Sequence, residues 1–101
     1  MTTDELLELF RKDDDEYLTT EKVQFTRGTK RPDLHAFLLL DSLVEIPGKD
    51  QDMVGSAEHD TIYLNVDLDD LAKVITAEQV LELRRCGVFY DGDTDCLAMF
   101  K

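Results

Sequence analysis

Residues 61–100 read TIYLNVDLDDLAKVITAEQVLELRRCGVFYDGDTDCLAMF, and the fold class follows from how this stretch divides. In its first six residues Ile62, Leu64 and Val66 alternate with Tyr63 and Asn65, the two-residue period of a half-buried strand. At Asp67 the period changes. Asp67 is a suitable helix cap, and Leu68, Leu71, Ala72 and Ile75 fall on one side of a short helix behind it. Thr76 and Gln79 are spaced as a capping box, Thr-x-x-Gln, opening a second helix of about ten residues. Gly87, just past Cys86, supplies the left-handed residue that closes such a helix. Val88-Phe89-Tyr90 and Leu97-Ala98-Met99-Phe100 then predict a hairpin around Asp91-Gly92. One strand, two helices and a hairpin give an α+β fold with a three-stranded antiparallel sheet.

Towards the N-terminus, residues 32–45 predict the strongest helix. Pro32 and Asp33 suit its first turn, and Ala36, Phe37, Leu40, Leu43 and Val44 lie at helical spacing. Leu38 and Leu39 widen the apolar arc beyond one face, so the helix should be covered on two sides, by the first helix or by a second subunit. That first helix is expected over residues 3–12. Thr3 is read as its cap, Asp4 and Glu5 complement the dipole, and Leu6, Leu7, Leu9 and Phe10 form a stripe. Asp13-Asp14-Asp15-Glu16 crowds four like charges and reads as a loop. In residues 22–27 Val23 and Phe25 alternate with Lys22, Gln24 and Thr26, as in an edge strand or an irregular arm ended by Gly28. Residues 46–60, with turn signals at Pro47-Gly48 and Gly55-Ser56, read as a long loop. Residues 1–31 thus form an N-terminal helix and arm, and residues 32–101 the main core of a single domain, the usual content of a chain of 101 residues.

From Pro32 onward the order helix, loop, strand, two helices, hairpin resembles the winged-helix architecture. The resemblance rests on element order and is carried by no sequence motif. It implies that residues 77–86 would enter a DNA groove, presenting Glu78, Gln79, Glu82 and Arg85, with Asp91, Asp93 and Asp95 on the wing.

Charge weighs against that use. The chain carries 23 acidic and 11 basic residues, a formal charge of −12. Residues 22–31, KVQFTRGTKR, hold four bases and no acid; residues 32–72 hold ten acids and one base. Nucleic-acid binding draws most of its affinity from cations that neutralise phosphate, so direct duplex binding is not expected. With 43% apolar residues the chain can still build a core, so the acids belong on a folded surface rather than a disordered tail. The N-terminus lacks a basic segment followed by an apolar core, and the longest apolar run, Ala36 to Leu40, falls far short of the roughly 20 residues a bilayer needs. A cytoplasmic protein with two reduced thiols, Cys86 and Cys96, is the expectation.

Catalytic chemistry finds little support. Asp91-Gly-Asp-Thr-Asp begins like a calcium loop, but Cys96 stands where the loop needs glycine. His59-Asp60 near Asp67, Asp69 and Asp70 falls short of a metal ligand set. The cysteines lack a metal or redox spacing, and no phosphate-cradling loop or nucleophile elbow occurs. No enzyme, cofactor or metal is therefore expected. The reading is a small acidic protein that acts through protein–protein contacts. Its partner would be a second copy, joined through Leu38 and Leu39 as a homodimer, or a basic protein met by Asp67, Asp69, Asp70, Glu78, Glu82, Asp91, Asp93 and Asp95. The alternatives are an acidic mimic of nucleic acid, of the kind carried by phages and mobile elements, and a winged-helix-like regulator. A metal-dependent enzyme ranks last.

Overall fold

A computed structural model describes residues 1–11, 28–44, 52–58 and 60–100. Four helices, α1 (Thr3–Arg11), α2 (Pro32–Leu43), α3 (Leu68–Val74) and α4 (Ala77–Arg85), accompany four strands, β1 (Val54–Glu58), β2 (Thr61–Leu64), β3 (Val88–Asp91) and β4 (Cys96–Phe100). The protein is α+β. Its sheet is antiparallel with the order β1-β2-β4-β3, so the strand ahead of the two helices pairs with the second strand of the hairpin.

The sheet has four strands where the sequence suggested three. The added one, β1, lies within the stretch read as a loop. Val54-Gly-Ser-Ala-Glu offers one large apolar side chain and a glycine, a poor strand by composition. The ladder with β2 overrides that preference, pairing Ala57 with Ile62 and Glu58 with Thr61 across a two-residue connection. The register slips between Val54 and Ser56, a bulge that accommodates the irregular pattern. The proposed strand or arm at 22–27 and the acidic run 13–16 lie outside the described residues.

Local signals set the helix ends. Asp67 caps α3 by accepting from the Asp70 amide at 3.0 Å, and Thr76 and Gln79 form a reciprocal capping box at α4. Gly87 takes φ +97°, where a side chain would be strained. Helix α1 departs from expectation: its cap is Thr2, not Thr3. The Thr2 hydroxyl accepts from the Glu5 amide at 3.2 Å, and the Glu5 carboxylate accepts from the Thr2 amide at 3.0 Å. Thr2-Thr3-Asp4-Glu5 is thus a second capping box. The Thr3 hydroxyl is left to donate to Asp69 of α3 at 2.5 Å. The hairpin also differs in detail. Asp91 pairs with Cys96, so the loop holds four residues rather than a two-residue turn on Asp91-Gly92. Its left-handed residue is Asp95 (φ +53°), and the Asp91 carboxylate holds the bend by accepting from the Asp93 amide at 3.0 Å.

The Thr2 amide and hydroxyl hold the Glu5 carboxyl below its usual range. A depressed folded-state pKa contributes stability above the unfolded value of about 4.3 and loses it as pH falls through the folded one. Replacing Glu5 with Gln is therefore expected to lower the urea midpoint at neutral pH and to leave it nearly unchanged at pH below both values. Equal losses at both pH values would show that the carboxylate charge at the cap is irrelevant.

All four helices send side chains into one core. Leu6 and Phe10 of α1, Ala36, Leu39 and Leu40 of α2, Leu71 and Ala72 of α3, and Val80 and Leu83 of α4 meet Leu64, Val88, Leu97 and Met99 of the sheet. Each such leucine contributes about 1.5–3 kcal/mol on burial. Helix α1 packs on α4, α3 and β3, and α2 docks on α4. Because all the helices feed that one cluster, the sheet turns one face to them. The other carries Thr61, Tyr63, Phe89, Asp91, Cys96, Ala98 and Phe100, the alternate positions of each strand.

Candidate interaction surface

The acidic residues singled out from sequence fall into distinct places. Asp67, Asp69 and Asp95 come together around a cleft of about 260 Å³ that Thr3, Val66 and Leu68 complete. The hairpin loop and the start of α3 are thereby neighbours, although 26 positions separate Asp69 from Asp95. All three carboxylates have structural duties there. Asp67 caps α3, Asp69 accepts from Thr3, and Asp95 accepts from the Tyr90 hydroxyl at 2.5 Å. That hydrogen bond leads the causes raising the Tyr90 phenol above its ordinary value. Asp70 is exposed, with the Lys73 ammonium 3.8 Å away.

Helix α4 divides its residues sharply. Ala77 and Glu78 in its first turn are exposed, and every later residue is half-buried or buried. Glu82 faces α2, its Oε1 3.3 Å from Nε2 of His35, a side chain wholly removed from solvent. A helix enclosed past its first turn presents little for insertion into a groove, and Glu82 is a link between helices before it is a surface charge.

The two leucines singled out on α2 also part company. Leu38 is 43% exposed, whereas Leu39 is fully buried in the core and has no surface to offer. Leu34, one turn before Leu38, is exposed to the same extent, so the outer side of α2 carries an apolar pair.

The outer sheet face is a feature the sequence reading passed over. One row crosses all four strands: Ser56 pairs with Tyr63, Tyr63 with Ala98, and Ala98 with Phe89. Ala98 is fully buried, and Phe100 is 73% exposed, the most exposed of the large apolar side chains among the described residues. Its ring stacks on Phe89 with centroids 4.7 Å apart and planes 26° from parallel. Acids border these rings. Asp91 is on the same face, paired with Cys96, and Glu58 lies opposite Thr61. Scarce water, and after it the charges of Asp91 and Glu58, push the Tyr63 phenol above its ordinary value, with Asp93 adding to the effect. The signal was in the strand period: Tyr63, Phe89 and Phe100 are the residues out of phase with Ile62 and Leu64, Val88, and Leu97 and Met99.

The two thiols are in different settings. Cys86 is buried, and desolvation followed by the Glu82 charge pushes it up to about 11. Cys96 is half-buried on the outer face, its sulfur 3.0 Å from the Thr94 hydroxyl. Since the thiolate is the reactive form and Cys86 is buried, Cys86 should react with a disulfide reagent markedly more slowly than Cys96 in the folded protein, a difference that denaturation should remove. Reagent kinetics under native and denaturing conditions check this, and two equally fast native phases would contradict it.

His59 lies outside the described residues, as does most of the basic strip, of which 28–31 are described. Among the described residues no helix is long and apolar enough to cross a membrane. No protein-family model, no curated protein and no solved structure matches this chain.

Proposed function

We propose that this chain is a non-catalytic interaction protein that meets a basic protein through its carboxylate-rich surface. The observation that carries this reading is the placement of charge. Asp67, Asp69 and Asp95 border one cleft, and Asp91 lies on the outer sheet face with Phe89 and the exposed Phe100. Cations are partly engaged within the fold: the Arg11 guanidinium lies 5.2 Å from the centre of the Tyr90 ring, and Lys73 stands by Asp70. A field of one sign over several faces steers an oppositely charged partner and sharpens the response to salt. The enclosure of α4 supports leaving duplex DNA out of the reading, because the helix that would read a groove is committed to the core. Affinity capture from the native host at low salt, followed by stepped elution, tests the proposal. A basic protein released as salt rises supports it. Retention only of nucleic acid, or of a partner indifferent to salt, would remove it.

Self-association is a second reading, favoured by the apolar pair Leu34 and Leu38 one turn apart on the outside of α2. Light scattering on the purified chain tests it directly. A dimer that Leu38→Lys dissociates supports this contact, and a monomer at all concentrations dismisses it.

A further inference from the structure

The outer sheet face combines properties that the acidic cleft lacks. Its floor is aromatic and outward-facing, with Tyr63 and Phe89 on either side of Ala98 and Phe100 stacked on Phe89. Its border is anionic, with Asp91 on the same face and Glu58 across the sheet. Phe100 is 73% exposed and stacks on the half-buried Phe89, so the apolar surface here is a continuous pair of rings rather than an isolated side chain. A purely apolar partner would strip water from the bordering carboxylates without replacing their hydrogen bonds. A second copy laid face to face would bring further carboxylates, and no cation of β2, β3 or β4, to this acidic border. An arginine side chain satisfies both parts at once: its guanidinium plane stacks on an aromatic ring while its N–H groups reach a carboxylate at the ring's edge. Among the described residues Arg11 supplies the ring half of such a contact, its guanidinium 5.2 Å from the centre of the Tyr90 ring.

The geometry points to the outer sheet face, centred on Tyr63, Phe89 and Phe100 and bordered by Asp91 and Glu58, as the docking site for an arginine-bearing segment of a basic partner protein. This rests on the interaction reading above and names the surface and the partner's chemistry.

The test uses the full chain and a labelled peptide of alternating arginine and glycine, with a lysine–glycine peptide of equal length beside it. Binding is followed by anisotropy, and its location by amide chemical shifts. The expected result is binding at low salt with shifts concentrated on β2, β3 and β4, and weaker binding of the lysine peptide. Phe100→Ala, on a side chain exposed enough to leave the fold intact, should weaken the arginine peptide about threefold. Asp91→Asn combined with Glu58→Gln should weaken it further and flatten its salt dependence.

Binding that maps to Asp67, Asp69 and Asp95 and ignores Phe100→Ala would overturn this site while leaving the broader reading intact. Equal affinity for the lysine peptide would overturn the role of stacking. A dimer that Phe100→Ala converts to monomer would assign the face to a second copy instead. Absence of binding at any salt concentration would overturn both the site and the basic-partner reading.

Discussion

Leu39→Ala is expected to cost about 2–5 kcal/mol of folding stability, while Leu38→Ala changes it by no more than about 0.5 kcal/mol. The two residues are adjacent, chemically identical and on the same helix; burial separates them. Leu39 is fully enclosed with Leu40, Ala36 and side chains from the sheet and the other helices, so truncation removes its transfer free energy and leaves a cavity. Leu38 is 43% exposed, so its truncation removes contacts that water already shares. Urea midpoints at constant m-value measure both. Similar losses for the two variants would mean that α2 is covered on its outer side in solution, and the second-copy contact through Leu34 and Leu38 would then gain force. The pair therefore reads stability and surface in one experiment.

That contrast also marks the boundary of what the sequence makes legible. Periodicity identified α2 as apolar beyond one face, and it is. Spacing also held the means to rank Leu38 against Leu39: Leu39 is three residues after Ala36 and four before Leu43, on the buried stripe, whereas Leu38 is one turn from the exposed Leu34. Signals that act within a few residues were legible: the Asp67 cap, the Thr76–Gln79 box and the left-handed Gly87 all stand where spacing put them. The Thr2–Glu5 box carried the same signature, since Glu5 stands three residues after Thr2 and Leu6 three after Thr3; reading the cap at Thr3 overlooked that spacing. Helix formation at that end is decided by which hydroxyl is free, and Thr3 is taken by Asp69 from a distant element.

Long-range pairing explains the other departures. Strand β1 owes its existence to β2, and its connection at residues 59 and 60 has none of the glycine or asparagine that marks a tight hairpin in sequence. The acids looked like a single class in sequence because charge alone was being read. In the fold Asp67, Asp91 and Asp95 hold backbone or hydroxyl groups, Glu82 meets a buried imidazole, and Glu78 is exposed. The aromatic face was visible as the odd phase of three strands, but becomes a surface only when the register sets Tyr63, Ala98 and Phe89 in one row.

The link between α2 and α4 carries the second large effect. His35→Ala is expected to destabilise the fold by about 2–5 kcal/mol, comparable to losing a core leucine, because it empties a fully buried site and removes the imidazole facing Glu82. Glu82→Ala alone should cost less, about 1–3 kcal/mol, since its side chain remains 26% exposed and water compensates part of the lost contact. The informative quantity is the coupling. If Nε2 of His35 and Oε1 of Glu82, 3.3 Å apart, interact as the geometry indicates, the double variant should be less damaged than the sum by about 0.5–3 kcal/mol. Strict additivity would show that His35 contributes to stability independently of Glu82. A coupling within that range would instead identify a polar contact in the α2–α4 interface that fixes how the two helices meet. It would also account for the poor exposure of α4. A carboxylate 3.3 Å from a buried imidazole ties α4 to α2, so the Glu82 charge serves the fold, as those of Asp67, Asp69 and Asp95 also do.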